Sequence, residues 1–243
     1  MNSANQNKLC LVTGALGHLG QALSECLLEE GYHVVGIGSG NTLNENFKKS
    51  EFLKYVSGKK TWTFYSVNLT SEEEVTQLFQ SVSQNNNSLL ALVNLVGGIY
   101  PWSMLHEVEA KTWDATIELN LKTAFLCSRE AIKVMIPQRC GKIINIGALA
   151  GIRGNTMAGP YGAAKAALIN MTETMAEENK RNNIQVNAVV PGIIDTPTNR
   201  QSMPDADFST WVKPQSIAEV ISFLVSEKSN ALTGSVLRVT GKL

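Results

Sequence analysis

Residues 9 to 20 read LCLVTGALGHLG, and this stretch decides the fold. Residues 9 to 12 form a short apolar run without alternation, as expected for a parallel strand that is buried on both faces. Apolar residues then recur at helical spacing from Ala22 to Leu28. Strand, glycine-rich turn and helix in this order favour a dinucleotide site, because glycines allow close backbone approach and a helix N-terminus attracts a pyrophosphate. An ordinary glycine turn is the alternative. The residues predicted to contact the dinucleotide are Gly14, Leu16, Gly17, His18, Leu19 and Gly20.

Six further apolar runs alternate with helical patterns along the chain. They are residues 33–37, 62–67, 89–93, 142–146, 184–190 and 236–239. This alternation predicts an α/β fold with a doubly wound parallel sheet, Rossmann-like, in a single domain of residues 1–243. A long helix is expected from Thr112 through Ile136. Loops at 97–106 and 192–213 are predicted to contact the substrate.

Composition excludes several function classes. Lys+Arg and Asp+Glu number 21 each, without blocks of like charge, so we expect no nucleic-acid partner and no anionic membrane surface. The four cysteines and three histidines are dispersed, which predicts no metal site and no disulfide. The N-terminal residues lack an apolar signal core and no long apolar run follows, so we expect a cytoplasmic protein.

The ends of the second and third strands bear on the cofactor. Gly38, Ser39 and Gly40 stand where an acidic residue would bind the adenosine ribose of NAD. Without that acid a 2′-phosphate is not repelled, and Ser39 could hydrogen-bond to it, so NADP is slightly favoured over NAD. Asn68 and Leu69 follow the third strand, and Asn68 is predicted to meet an adenine edge.

The fourth strand also ends in a glycine-rich turn. Asn94, Val96 and Gly97 lie on the side where α/β sheets bind ligands, and we predict that they contact the cofactor. Tyr100 and Trp102 follow in the next loop. They are candidates for stacking on a flat substrate, with packing as a lid as the alternative.

Tyr161 and Lys165 lie at the head of an alanine-rich helical run. Residues four apart share one face of a helix, so the phenol and the ammonium can point at one place. A phenol with a pKa of about 10 is a poor proton donor or acceptor at neutral pH, and a nearby positive charge lowers that pKa. Asn120, on a mostly apolar helical face, needs a partner such as a backbone carbonyl, a water or Lys165.

These motifs together resemble a classical short-chain dehydrogenase/reductase over nearly all of the chain. The residues that carry the resemblance are TGALGHLG at 13–20, the turn at 94–97, Asn120, YGAAK at 161–165, and Pro191, Gly192 and Thr196. The resemblance implies an NAD(P)-dependent oxidoreductase in which Tyr161 is the acid or base and Lys165 binds the nicotinamide ribose and depresses the tyrosine pKa. Asn120 would order a water in a proton relay.

The resemblance also assigns the segment after the sixth strand. Pro191, Gly192, Ile194 and Thr196 would contact the nicotinamide end of the cofactor. In resembling proteins the helices from Thr112 and from Tyr161 form a four-helix interface, so we expect a homodimer or homotetramer.

Three positions depart from the family pattern. The glycines follow G-x-x-G-x-x-G, Asn68 stands where an Asp is usual, and Ala148 takes the place of the catalytic Ser. A hydroxyl at position 148 would hold the substrate carbonyl oxygen, and loss of one such donor typically costs about 10²–10³ in rate. Ser103 and Thr156 are candidate replacements by nearness in sequence.

Ala148 leaves three interpretations open. The first is hydride transfer to or from a small carbonyl, alcohol or conjugated acceptor. The second is reduction of a quinonoid dihydropterin, because residues 195–211 and the glycine turn are similar to those of dihydropteridine reductase, which also has Ala at this place. That family usually has an Asp at the second strand end, where this chain has Gly38. The third is a weakly active or non-catalytic dinucleotide-binding protein.

Overall fold

The computed structural model describes residues 8–39, 51–83, 88–98 and 102–242, and these form one sheet with helices on both faces. The strands are β1 (Lys8–Thr13), β2 (His33–Gly38), β3 (Trp62–Ser66), β4 (Ser88–Asn94), β5 (Gly141–Ile146), β6 (Ile184–Pro191) and β7 (Val236–Val239). All pairs are parallel, and the strand order is β3-β2-β1-β4-β5-β6-β7. The predicted doubly wound Rossmann-like sheet is confirmed.

The helices connect successive strands. They are α1 (His18–Glu29), α2 (Glu51–Val56), α3 (Glu72–Ser83), α4 (Ala110–Ile117), α5 (Thr123–Gln138), α6 (Gly159–Asn179), α7 (Pro197–Ser202) and α8 (Pro214–Val225). Helix α3 is capped at its start by the Ser71 hydroxyl, which accepts from the Glu74 amide at 3.3 Å.

Two apolar layers cover the two faces of the sheet. One packs α1 and α8 against it through residues such as Leu23, Leu27 and Ile221. The other packs α3, α5 and α6, with Phe79 and Met135 fully or almost fully buried. Because both faces are covered, the central strands are buried along almost their whole length, as β1 and β6 show.

The predicted continuous helix from Thr112 to Ile136 is wrong in one respect. A five-residue π-helical segment, Glu118–Lys122, separates α4 from α5. Asn120 lies in the middle of this segment, and its side-chain amide donates to the Thr116 carbonyl at 3.0 Å. Such π-bulges are common at functional sites. The bulge directs Asn120 toward the turn after β4.

Strand β1 pairs with β2 on one side and with β4 on the other, so the chain reverses its direction of winding between β1 and β4. In open α/β sheets a ligand binds at the carboxyl ends of the strands at this switch point. The buried Thr13 hydroxyl joins the two strand ends by accepting from the amides of Leu95, at 3.0 Å, and Val96, at 3.3 Å. Among the described residues no helix is long and apolar enough to cross a membrane.

Candidate active site

The turn between β1 and α1 has the shape that a pyrophosphate needs. Gly14 has a φ of +67°, a left-handed conformation that favours glycine, and its carbonyl accepts from the Gly17 amide at 3.0 Å. A Cβ on Gly20 would lie 2.3 Å from the Gly14 carbonyl oxygen, so the turn and the helix approach closely.

Helix α1 begins without a capping side chain at Gly17, and both Gly17 and His18 are exposed. The first N–H groups of the helix therefore remain available to an anion at its positive end. Leu19 and Gly20 continue this first turn, and the Leu16 carbonyl accepts from the Gln21 side-chain NH₂ at 2.7 Å. The residues present fit a dinucleotide phosphate.

The ends of β2 and β3 border this turn. Ser39 is exposed directly after β2, and the Gly38 carbonyl accepts from the Val67 amide at 2.9 Å. The Asn68 side-chain oxygen accepts from the Thr70 amide and hydroxyl, at 3.1 and 2.9 Å. Its NH₂ group is not used in these bonds and is the part of Asn68 suited to an adenine edge. Leu69 is buried beneath it.

Tyr161 and Lys165 come from the first turns of α6. Tyr161 is half-buried, whereas Lys165 is 4% exposed. The Lys165 ammonium donates to the Ile146 carbonyl at the end of β5, at 2.8 Å, and lies 5.7 Å from the centre of the Tyr161 ring. The Tyr161 ring and the Lys165 ammonium are thus near each other, as predicted, and a hydrogen bond to β5 anchors the lysine.

Burial dominates the acid–base behaviour of both groups. It raises the pKa of Tyr161 to about 12 and lowers the pKa of Lys165 to about 8. Desolvation of the phenolate sets this direction for Tyr161, and the expected lowering of its pKa by Lys165 stays a prediction. At neutral pH the phenol carries its proton and so does most of the lysine.

Asn120 joins the turn after β4 to the helix. Its side-chain oxygen accepts from the Gly98 amide at 3.0 Å, and its NH₂ donates to the Gly98 carbonyl at 2.9 Å. A Cβ on Gly97 would lie 2.7 Å from this oxygen and 3.1 Å from the Lys165 nitrogen. Asn120, Gly97 and Lys165 thus meet at one point, and the expected carbonyl partner of Asn120 is confirmed.

Asn94 points away from this edge. Its side chain, 4% exposed, donates to the Ser128 hydroxyl at 3.0 Å and to Asn145 at 2.8 Å, and Asn145 donates to Thr172. Both amide hydrogens are therefore used inside the protein, between β4, β5 and α5. The prediction that Asn94 contacts the cofactor does not hold for its side chain, because strand alternation places it on the interior face.

Ala148 lies just after β5 with an extended backbone and is 9% exposed. The turn that follows packs on α6 at two glycines: a Cβ on Gly151 would lie 2.7 Å from the Lys165 carbonyl carbon, and one on Gly162 would lie 2.8 Å from the Ala150 oxygen. This close packing brings position 148 and the start of α6 together. The substrate position expected of Ala148 stays a prediction.

The two hydroxyls suggested as replacements lie in neighbouring loops. The Ser103 amide donates to the Met157 carbonyl at 3.3 Å, and its hydroxyl donates to Glu107 at 3.4 Å. Thr156 is exposed next to Met157. Trp102 is also exposed in this region, and Tyr100 lies outside the described residues.

The segment after β6 forms a closed loop over the same edge. Pro191 ends β6, and a Cβ on Gly192 would lie 2.9 Å from the Thr240 oxygen, so only glycine fits there. Ile194 pairs with Val212, which closes the base of the loop. Thr196 caps α7 by accepting from the Asn199 amide at 3.2 Å. Within the described ranges no group of His, Cys, Asp or Glu side chains is arranged to hold a metal, and all four cysteines are free.

Comparison with known proteins identifies the family of this chain. A sequence profile of the short chain dehydrogenase family matches residues 8–207. The chain belongs to the short-chain dehydrogenase family. It is accordingly an NAD(P)-dependent oxidoreductase.

The relatives cover almost the entire chain. The chain is 35% identical to the 3-oxoacyl-[acyl-carrier-protein] reductase FabG of Thermotoga maritima, over 98% of this chain and 98% of that protein. It is 30% identical to the FabG of Salmonella typhimurium, over 97% of each. A solved structure of ElxO with NADP bound superposes with a TM-score of 0.85 at 27% identity, covering 97% of this chain and 98% of that one.

Several contributors to the site have no clear signal in the sequence. The Ile146 carbonyl that holds Lys165 is a backbone atom, and residue type says nothing about it. The Thr13 hydroxyl and the Gly98 peptide act through contacts with distant segments. A polar residue at the end of an apolar strand is the only available hint for Thr13.

Proposed function

We propose that Tyr161 donates the proton in a reduction, or accepts it in the reverse oxidation, while Lys165 and Asn120 position the reacting groups. The observation that carries this proposal is the anchoring of Lys165 to the end of β5, beside Gly97 and one helical turn from Tyr161. When bound along this edge, a nicotinamide dinucleotide supplies or accepts the hydride.

Tyr161 needs a nearby positive charge to act as the acid. Burial raises its pKa to about 12, which keeps the phenol protonated at neutral pH but makes it a weaker proton donor. The Lys165 ammonium has three donors, of which the Ile146 carbonyl takes one, so the others are available to a ribose hydroxyl. As negative charge develops on Tyr161, the lysine charge stabilises it in a site of low polarity.

Asn120 acts as a positioning residue in this scheme. Its amide is occupied by the Gly98 peptide and by the Thr116 carbonyl, so it holds the turn after β4 against Lys165. The implied ordering of a water by Asn120 stays a prediction. Asn120→Ala adds no charge beside Lys165, so it should lower activity without shifting the apparent pKa of the tyrosine step in a pH–rate profile.

NADP is the preferred cofactor in this proposal. Gly38 and Ser39 present no carboxylate at the end of β2, and ElxO, the structural relative, is described with NADP bound. Fluorescence titration with NADPH and NADH tests the preference. Tighter binding of NADH would contradict it.

Ala148 bears on which of two classes of hydride acceptor this enzyme reduces. The relatives named 3-oxoacyl-[acyl-carrier-protein] reductase support a carbonyl acceptor. A conjugated acceptor such as quinonoid dihydropterin has less need of a hydroxyl at position 148, and Ala148 favours it. The third reading, a dinucleotide-binding protein with little or no turnover, rests on the same missing hydroxyl.

One experiment separates these readings. Purified protein with NADPH is offered a 3-oxoacyl thioester, a panel of ketones and aldehydes, and quinonoid dihydropterin, and loss of NADPH absorbance is followed. Turnover of the thioester or ketones supports the carbonyl acceptor, and turnover of the pterin alone supports the conjugated one. Cofactor binding with no turnover on any acceptor, and none after Ala148→Ser, would overturn the enzymatic proposal.

We also propose a cytoplasmic homodimer or homotetramer built through α5 and α6. Helix α6 exposes a row of small residues, Ala163, Ala166, Ala167 and Asn170, and α5 exposes Phe125, 43% of its surface, with Arg129 stacked on it at 5.5 Å. Small residues at helical spacing let a second pair of helices approach closely. Light scattering after size-exclusion chromatography tests this assembly, and a monomer for the wild type would contradict it.

A further inference from the structure

Exposed apolar side chains concentrate on two loops, one of which leads into the helix that carries Tyr161. The described part of the chain has nine large hydrophobic residues with substantial exposure, and five of them lie on the two loops that precede α4 and α6. These five, which we call the apolar rim, are Trp102, Met104, Leu105, Ile152 and Met157.

The two loops form one surface. The Ser103 amide donates to the Met157 carbonyl at 3.3 Å, and Leu105 lies so close to Gly159 that a Cβ there would be 2.8 Å from its Cδ1. Gly159 is the first residue of α6, two positions before Tyr161. Leu105 of the rim therefore packs on the first turn of the helix that carries the proposed proton donor.

Two acidic groups in these loops are paired. Glu107 accepts from the Ser103 hydroxyl at 3.4 Å and faces His106 at 3.9 Å, and Glu109 pairs with Lys111 at 2.7 Å. Arg153 is exposed. Leu105, 63% exposed, and Trp102, 50% exposed, consequently present apolar surface to whatever enters beside Tyr161. Burying such surface is favourable, and it is uncommon for a protein to leave it concentrated at one place without a use.

We propose that the apolar rim binds the non-reacting alkyl part of the substrate, so that this enzyme prefers acceptors with an extended hydrocarbon chain. The inference rests on the proposed function, because it places the reacting group at Tyr161. Leu105 and Trp102 are then specificity-determining residues. Met157 has a φ of +63°, which is unusual for a bulky residue. In this conformation its carbonyl accepts the hydrogen bond from the Ser103 amide, and its side chain belongs to the rim.

The test uses unbranched methyl ketones that differ only in chain length. Dissociation constants are measured by calorimetry with protein saturated with NADP⁺, where no reduction occurs, and kcat/KM is measured with NADPH. Each added methylene contributes about 0.8 kcal/mol when fully buried, so we expect binding to tighten by about two- to fourfold per methylene. Leu105→Ala and Trp102→Ala should flatten this dependence, whereas Phe223→Ala, equally apolar but on α8, should leave it unchanged.

The outcomes separate this inference from the proposed function. Turnover with no dependence on chain length, or an equal effect of Leu105→Ala on short and long ketones, would overturn the inference alone. If binding tightens with chain length but no ketone is reduced, the alkyl site at the apolar rim is supported and the proposed reaction is contradicted. A dependence that Phe223→Ala also abolishes would place the alkyl site elsewhere and refute the rim.

Discussion

Replacement of Gly97 by alanine tests how the site is held together. Gly97 does not have a positive φ, so alanine is compatible with the backbone, and the effect is steric. The added Cβ would lie 2.7 Å from the Asn120 oxygen and 3.1 Å from the Lys165 nitrogen. Contacts under about 3.0 Å do not persist, so one or both side chains must move.

The magnitude follows from the contacts that are lost. Overpacking a filled site costs about 1–3 kcal/mol, and moving the Asn120 oxygen off the Gly98 amide costs about 1–3 kcal/mol if that amide stays buried. Together these contributions are expected to lower the free energy of unfolding of Gly97→Ala by about 2–6 kcal/mol. A displaced Lys165 should also lower kcat/KM by about 10²-fold, since misplacement of about 1 Å has effects of this size.

Gly98 provides a matched control one residue away. A Cβ on Gly98 meets only Leu119, at 3.9 Å, which is ordinary contact, and its φ is also not positive. Gly98→Ala should therefore change the free energy of unfolding by less than about 1 kcal/mol, in either direction. Urea unfolding of both variants at one protein concentration measures the difference. Equal stabilities for the two variants would refute the packing of Gly97 against Asn120 and Lys165.

Three further substitutions address the chemistry. Tyr161→Phe is expected to lower kcat by about 10²–10⁴ while the dissociation constant for NADPH stays within about twofold, and a small effect on kcat would remove Tyr161 from the proton step. Ala148→Ser is expected to raise kcat/KM for ketones by up to about 10²–10³ and to leave a conjugated acceptor unaffected; no gain with ketones would show that position 148 does not face the carbonyl. Burial lowers the pKa of Lys165 in the folded protein to about 8, from its ordinary value of 10.5. Between pH 8 and 10.5 the lysine is protonated in the unfolded chain but largely deprotonated in the folded protein. The free energy of unfolding therefore rises with pH in this range. Lys165→Met should remove that rise from the pH dependence of the free energy of unfolding, and an identical pH dependence in the wild type and the variant would contradict the burial of the lysine.

The sequence by itself determined the fold and the chemistry-bearing residues. Buried parallel strands read as apolar runs, glycines mark the turn at residues 14–20, and Tyr161 and Lys165 share a helical face because four residues make about one turn. The strand ends at Asn68 and Gly97 could be assigned to one sheet edge for the same reason, since parallel strands all end on one side. These are local or periodic properties of the chain, so they can be recognised without knowing which distant segments are in contact.

Tertiary structure alone decided how those residues are used. Asn94 is the last residue of its strand, and its side chain faces Ser128 and Asn145 in the interior. Burial raises the pKa of Tyr161, and the desolvation of a side chain depends on everything packed around it. The π-helical segment at Asn120, the carbonyl that anchors Lys165 and the meeting of the two loops of the apolar rim arise from contacts between segments far apart in the chain. No local pattern encodes such contacts, because their energy depends on which surfaces the completed sheet brings together.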